Sequence, residues 1–212
     1  MENSKLNSLL NRIKNLDKNY NKILVPPWMS KQITSYMLIR EDLFFVKTNA
    51  ELLINCKNNK LRVEHTEEAL WYSLIIIYGR CFSNATKGQK VKLDKEKLFS
   101  ANDLNNNHLL THNKLIDIRN NFIAHRGDNE NEIPIVYLKL PVDEIDETYQ
   151  PEFEIVSTRY VTDSFEFLEE IVLLINFLIP QVDMKLKKCG EKLKKGLFSL
   201  EKDLLLKLTI KI

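Results

Sequence analysis

The chain has 212 residues, with 31 lysines and arginines against 29 aspartates and glutamates, and only five glycines and six prolines. That length can bury a sizeable core, and few breakers beside abundant lysine, leucine, isoleucine, asparagine and glutamate argue for long helices and against a many-stranded sandwich. Cys56, Cys81 and Cys189 are far apart and outside CxxC spacing, which offers no disulfide framework or cysteine zinc site and fits reduced thiols in a cytoplasmic protein.

The N-terminus is polar, without the apolar core of a signal peptide. The longest apolar run, Ile171 to Pro180, is about half a membrane span and is interrupted by Asn176. A soluble chain with no membrane partner is expected. Charge is unevenly placed: residues 141–170 carry ten acidic side chains against one basic, and residues 185–212 carry nine lysines against three acids. Such asymmetry marks either a nucleic-acid-facing tail or solvated helix faces.

In chain order, residues 3–24 place Leu6, Leu9, Leu10, Ile13, Leu16 and Tyr20 at helical spacing, and Pro26-Pro27 ends that helix. Residues 29–55 predict a second helix with Ile33, Met37, Leu38, Phe44, Phe45, Ala50, Leu52 and Leu53 inward. A third begins near Thr66, a good N-cap followed by two glutamates. It runs to about Phe82, apolar on more than one face, as a central helix of a bundle would be. Arg80 is the only charged residue between Glu68 and Lys87. It needs a partner or a route to solvent, and is read either as a snorkelling arginine or as a substrate-binding one.

Residues 83–106 are polar, with a short helix near Asp94–Phe99. Beyond the motif helix, Ile133–Leu140 and Phe153–Val161 are rich in β-branched and aromatic residues. They predict a two-stranded hairpin, spanning 132–161, inserted on the bundle, with Pro134 marking an edge strand. A long helix capped near Thr162 or Ser164 follows, and Pro180 is expected to kink it without ending it. Residues 185–212 form a basic C-terminal helix or tail. The whole is expected to be one mainly α domain, an antiparallel helical bundle over 1–212.

Chemistry concentrates in residues 107–128, which hold His108, His112 and His125, three of the four histidines. Leu115, Ile118 and Phe122, flanked by Ile116 and Ile123, make a docking stripe. Arg119, Asn120, Asn121, His125 and Arg126 then crowd the helix end, where Gly127 allows a left-handed cap. Acid–base catalysis needs a side chain of the imidazole type, which His125 can supply, and the Arg119 fork suits a phosphate. That pair suits cleavage of RNA at the 2′-hydroxyl without a metal or cofactor. On a regular helix Arg119 and His125 stand about 120° and about 9 Å apart. They meet only if the helix ends or bends, or if two chains combine their motifs. Asn121 and His125, at i and i+4, are neighbours, so Asn121 can orient the imidazole.

Arg119-Asn-Asn-Phe-Ile-Ala-His125, with Arg-Gly following, resembles the Arg-x(4–6)-His signature of the HEPN superfamily, closest in flavour to stand-alone AbiU-like abortive-infection proteins. The motif-level resemblance covers residues 66–128. It implies an antiparallel bundle, a homodimer whose motifs line one cleft, and RNA as substrate. Catalysis would fall to Arg119, His125 and Asn120, and substrate binding to Asn121, Arg126 and Arg80. It also implies a place in phage defence or a toxin–antitoxin system, with an antitoxin or defence protein as partner. Other members only bind RNA or protein. The tyrosine that some toxin members carry two residues past the histidine is replaced here by Gly127. Against these implications, Arg119 and His125 also suit a plain C-terminal cap favoured by the helix dipole. His108 and His112 are expected as a solvent-facing pair, since no carboxylate or cysteine nearby completes a metal site. No Gly-rich phosphate loop precedes a helix.

Overall fold

The computed structural model describes residues 2–15, 22–59, 64–83, 91–99, 106–123, 132–139, 152–159 and 164–200. These residues are mainly helical. The helices are α1 (Glu2–Asn15), α2 (Pro27–Asn59), α3 (Glu64–Phe82), the single turn α4 (Lys95–Leu98), α5 (Asn106–Asp117) and α6 (Phe165–Phe198). Two extended segments, β1 (Glu132–Lys139) and β2 (Glu152–Arg159), pair antiparallel with Val136 opposite Ile155. The acidic loop between them and the residues after 200 lie outside the described residues.

The chain divides into two compact units, residues 1–38 with 182–212, and residues 39–181. The sequence suggested one domain over 1–212. Both long helices contribute to each unit, so neither unit is a stretch of chain that composition could delimit.

The core of the 39–181 unit is built from helical stripes. α2 buries Ile39, Leu43, Val46, Ala50 and Leu53; α3 buries Trp71, Leu74, Ile75 and Tyr78. α6 supplies Phe167, Leu168, Ile171, Leu174, Ile175 and Leu178, and α5 supplies Leu115. Each fully buried large aliphatic side chain is worth about 1.5–3 kcal/mol of transfer free energy. The expected inner face of α2 is therefore corrected. Met37, Leu38, Phe44, Phe45 and Leu52 are exposed, while the polar Ser35 and Asn49 are buried. Hydrophobicity alone misled because α2 is apolar on more than one side. Asn49 is tolerated inside because its amide donates to the Leu70 carbonyl at 3.3 Å, and Ser35 donates to the Lys31 carbonyl.

Helix ends moved as well. α1 is described as far as Asn15 and residues 22–26 are not helical, so the proline pair opens α2 where it was expected only to close α1. Pro27 is the first helical residue, where its missing N–H costs nothing, and the Pro26 carbonyl accepts from the Met29 and Ser30 amides at 3.0 Å. α3 already includes Glu64, which places Thr66 inside the helix. Ser164 does cap α6: its hydroxyl accepts from the Phe167 amide at 3.3 Å. Ser164→Ala should lower unfolding stability by about 1 kcal/mol, measured by urea denaturation. α6 runs without a break through Pro180.

Candidate functional site

α5 does not end as a regular helix. From Ile118 to Ile123 it widens into a π-helical turn, in which backbone bonds reach five residues back, an arrangement frequent at functional sites. Arg119, Asn120 and Asn121 all lie on this turn, so wheel arithmetic for a regular helix does not apply past Ile118. His125, Arg126 and Gly127 lie outside the described residues.

Arg119 is half-buried, and its stem crosses α3 at Gly79. A Cβ on that glycine would stand inside contact distance of Arg119 Cγ, Cδ and Nε. Gly79 thus leaves room for the close passage of another side chain. At its far end the guanidinium donates from Nη1 to the Asn120 side-chain oxygen at 3.0 Å. Asn120 is neutral and exposed, and no carboxylate among the described residues pairs with Arg119. The arginine is held at its stem and at one nitrogen, and no described residue neutralises its charge.

Arg80 differs in this respect. Its Nε donates to Asp42 Oδ2 at 2.9 Å and its Nη2 to Asp42 Oδ1, a fork-on-carboxylate pair whose first effect is to raise the arginine's already high pKa. The side chain is 64% exposed, so the pair adds little stability. It does neutralise the charge that a phosphate would seek. Asn121 is also engaged, its amide donating to Asp117 Oδ1 at 2.6 Å. Its amide is thus turned back along α5; the sequence offered Asn121 as a residue able to orient the His125 imidazole, which lies outside the described residues.

The histidine pair is corrected more strongly. His112 is 3% exposed, with Nδ1 2.7 Å from the Tyr78 hydroxyl and its ring 4.4 Å from Phe82 and 5.1 Å from Phe99 between centroids. Burial, with Lys95 adding repulsion, pulls its pKa down to about 4. Burial also raises Tyr78 well above the usual phenol value. Both groups are neutral at pH 7 and one proton lies between them. This bond, with Lys95 donating to Asn113 at 2.8 Å and the Leu93 amide to the Cys81 carbonyl at 2.8 Å, ties α5 and the α4 segment to α3. His108 stacks on Phe177 at 5.0 Å. Neither histidine is presented to a metal, and among the described residues no group of three histidines, cysteines or carboxylates can hold one. Cys81, buried, has its thiol pushed up to about 12, so it is no nucleophile.

Protein-family models, characterised proteins and solved structures were all compared with the chain. None matches it. Among the described residues no helix is long and apolar enough to cross a membrane.

Of the residues singled out from sequence, Arg119 and Asn120 are bonded to each other on the π-turn, Arg80 is paired with Asp42 and Asn121 with Asp117. Sequence reasoning missed Gly79 and the Tyr78–His112 bond. The glycine left a signal: inside a helix it costs about 1 kcal/mol against alanine, so its presence asks for a packing reason. The histidine left none, because the Tyr78 partner lies 34 residues away.

Proposed function

We propose that the protein is a HEPN-like, metal-independent endoribonuclease, acting as a homodimer in phage defence or a toxin–antitoxin pair. What supports this most is Arg119, anchored over Gly79, bonded to a neutral asparagine and paired with no described carboxylate. A pre-positioned guanidinium of that kind suits charge developing on phosphorus, since it needs no reorganisation when the charge appears. In the proposed reaction His125 accepts the ribose 2′-hydroxyl proton as the oxygen attacks phosphorus. The 5′-oxygen leaves and takes a proton from water, giving a 2′,3′-cyclic phosphate and a 5′-hydroxyl, and the imidazolium returns its proton to solvent. Asn120 holds the arginine and offers its amide to phosphate or base. The paired strands Glu132–Lys139 and Glu152–Arg159 belong, on this reading, to a hairpin insertion in a HEPN-like bundle. An antitoxin or defence protein is the proposed protein partner.

The test is cleavage of RNA by purified protein in EDTA. His125→Ala should reduce the rate by at least about 100-fold, the scale of general acid–base catalysis, and the products should carry cyclic phosphate. Absence of cleavage at any protein concentration, together with a harmless His125→Ala on expression, would sink the nuclease. The alternative, a non-catalytic RNA- or protein-binding HEPN-like module, draws support from the exposed lysines late in α6. It predicts RNA binding that His125→Ala leaves unchanged and no cyclic phosphate product.

A further inference from the structure

Within the unit formed by residues 1–38 and 182–212, Trp28 is 74% exposed, and so is Phe198. An indole so open gives up most of the burial that usually retains a tryptophan in a fold. Trp28 lies in the first turn of α2 and, with Met29, Ile33, Cys189, Lys192 and Leu193, lines a groove of about 210 Å³. One wall of the groove is therefore α2 and the other is α6. The two helices are close here, since a Cβ on Gly196 would stand 3.1 Å from the Met29 methyl carbon.

α6 supplies the charge. Between Lys185 and Phe198 it carries six lysines against the single acid Glu191. Lys188, Lys192 and Lys195, all exposed, follow one another at i, i+4 and i+7, a straight stripe about 10 Å long on one face of a helix. No described carboxylate pairs with any of the three. Lys192 belongs both to this stripe and to the Trp28 groove, so cation and ring are contiguous. Further along, Lys194 stands over the Phe198 ring at 6.0 Å.

We propose that this groove binds single-stranded RNA, a base stacking on Trp28 while the phosphates follow Lys188, Lys192 and Lys195. Aromatic platforms beside a cationic track are what unpaired nucleic acid requires: every base has a face to stack, and phosphates need point charges at intervals. A membrane surface fits less well. A helix lying on lipid turns its apolar face to the bilayer, whereas Cys189 and Leu193 of α6 are turned to the groove shared with α2. The groove rests on RNA being the ligand of the protein and adds a binding surface that shares no residue with the Arg119 site.

The experiment measures binding of a fluorescent 20-nucleotide 2′-O-methyl RNA, which lacks the hydroxyl needed for cleavage, across a salt series with the full chain. Trp28→Ala should weaken binding by about 5- to 150-fold, the loss of one stacked base, with the salt slope unchanged. Changing Lys188, Lys192 and Lys195 together to glutamine should reduce that slope by about 2 and affinity by more than about tenfold. RNA should also quench the red-shifted emission of Trp28, distinguishable from buried Trp71 by its absence in Trp28→Ala. All these side chains are exposed, so thermal unfolding should not move; a matched melting curve shows that a binding loss is local. Unchanged affinity in both variants overturns the groove, even if the protein cleaves ordinary RNA. Binding through the groove without cleavage of ordinary RNA supports it and counts against the nuclease instead. Tighter binding to phosphatidylserine vesicles than to RNA overturns it in favour of a lipid surface. Equal binding of polyglutamate, insensitive to Trp28→Ala, overturns it in favour of bare charge attraction.

Discussion

Gly79→Ala is expected to leave the protein folded and nearly as stable as the parent and, if the protein is the nuclease proposed above, to reduce RNA cleavage by about 100- to 1,000-fold, the loss of one pre-organised charge interaction. In an exposed helix interior the same change would stabilise by about 1 kcal/mol, because alanine confines the unfolded chain and glycine does not. Here the new methyl collides with Arg119 Cδ and Nε. Those atoms are the far end of a flexible side chain, so the arginine swings away and the α3 backbone stays in place. Stability thus changes only by the small difference between the helix propensity that alanine brings and the packing of the arginine stem that it displaces. The guanidinium meanwhile leaves its seat and its bond to Asn120. Thermal unfolding and cleavage should move independently. Arg119→Lys gives a useful comparison: the shorter fork-less cation should fit Gly79 without a clash and still lose the proposed activity, since it cannot make the bidentate phosphate contact proposed for the guanidinium. Full activity in Gly79→Ala would show that the seat does not matter. A loss of stability above about 3 kcal/mol would show that the backbone, not the arginine, had to move.

The bundle was legible in the sequence because its signal is local. Leu168, Ile171, Leu174, Ile175 and Leu178 repeat at helical spacing and are buried as that spacing requires, and Ser164 announces the start of their helix. α2 was legible as a helix but not in orientation. Its apolar residues cover nearly the whole circumference, so only the partners decide that Leu43 and Val46 turn inward while Phe44 and Phe45 do not. The site divides the same way. Arg119 and Asn120 could be chosen from their chemistry and their place at a helix end. The π-turn that carries them has no proline, glycine pair or other marker in Ile-Arg-Asn-Asn-Phe-Ile, and the partner of Arg80 lies 38 residues upstream. Long-range pairings of single polar side chains leave no periodic trace in a lone sequence. The expectation of two solvent-facing histidines near the start of α5 failed for that reason.

His112 should make the protein acid-sensitive over a defined window. In the unfolded chain its imidazole titrates near 6.5, whereas in the fold burial holds it neutral down to about 4. Between those values the unfolded state binds more protons, so unfolding becomes progressively easier as pH falls from about 6.5 to about 4. Above about 6.5 both states are neutral and the histidine contributes no slope; below about 4 both are charged and the loss is complete. The full difference corresponds to about 3 kcal/mol, a large share of the stability of an ordinary domain. The neighbouring Phe82 and Phe99 rings offer an imidazolium some cation–π attraction, but Lys95 opposes it and desolvation dominates. Urea midpoints at pH 7, 5.5 and 4.5 measure the slope. His112→Gln, which keeps an acceptor for the Tyr78 hydroxyl and cannot titrate, should lose most of it. The parent and His112→Gln share every other histidine and carboxylate, so their difference isolates this one group. Parallel curves for the two proteins would show that His112 is not neutral in the fold. Because the Tyr78–His112 bond docks α5 against α3, the π-turn bearing Arg119 is the first functional element that acid should loosen. In the proposed nuclease, cleavage should therefore fall earlier in the parent than in His112→Gln as pH is lowered through about 5, since the two share His125, while far-ultraviolet helicity persists in both.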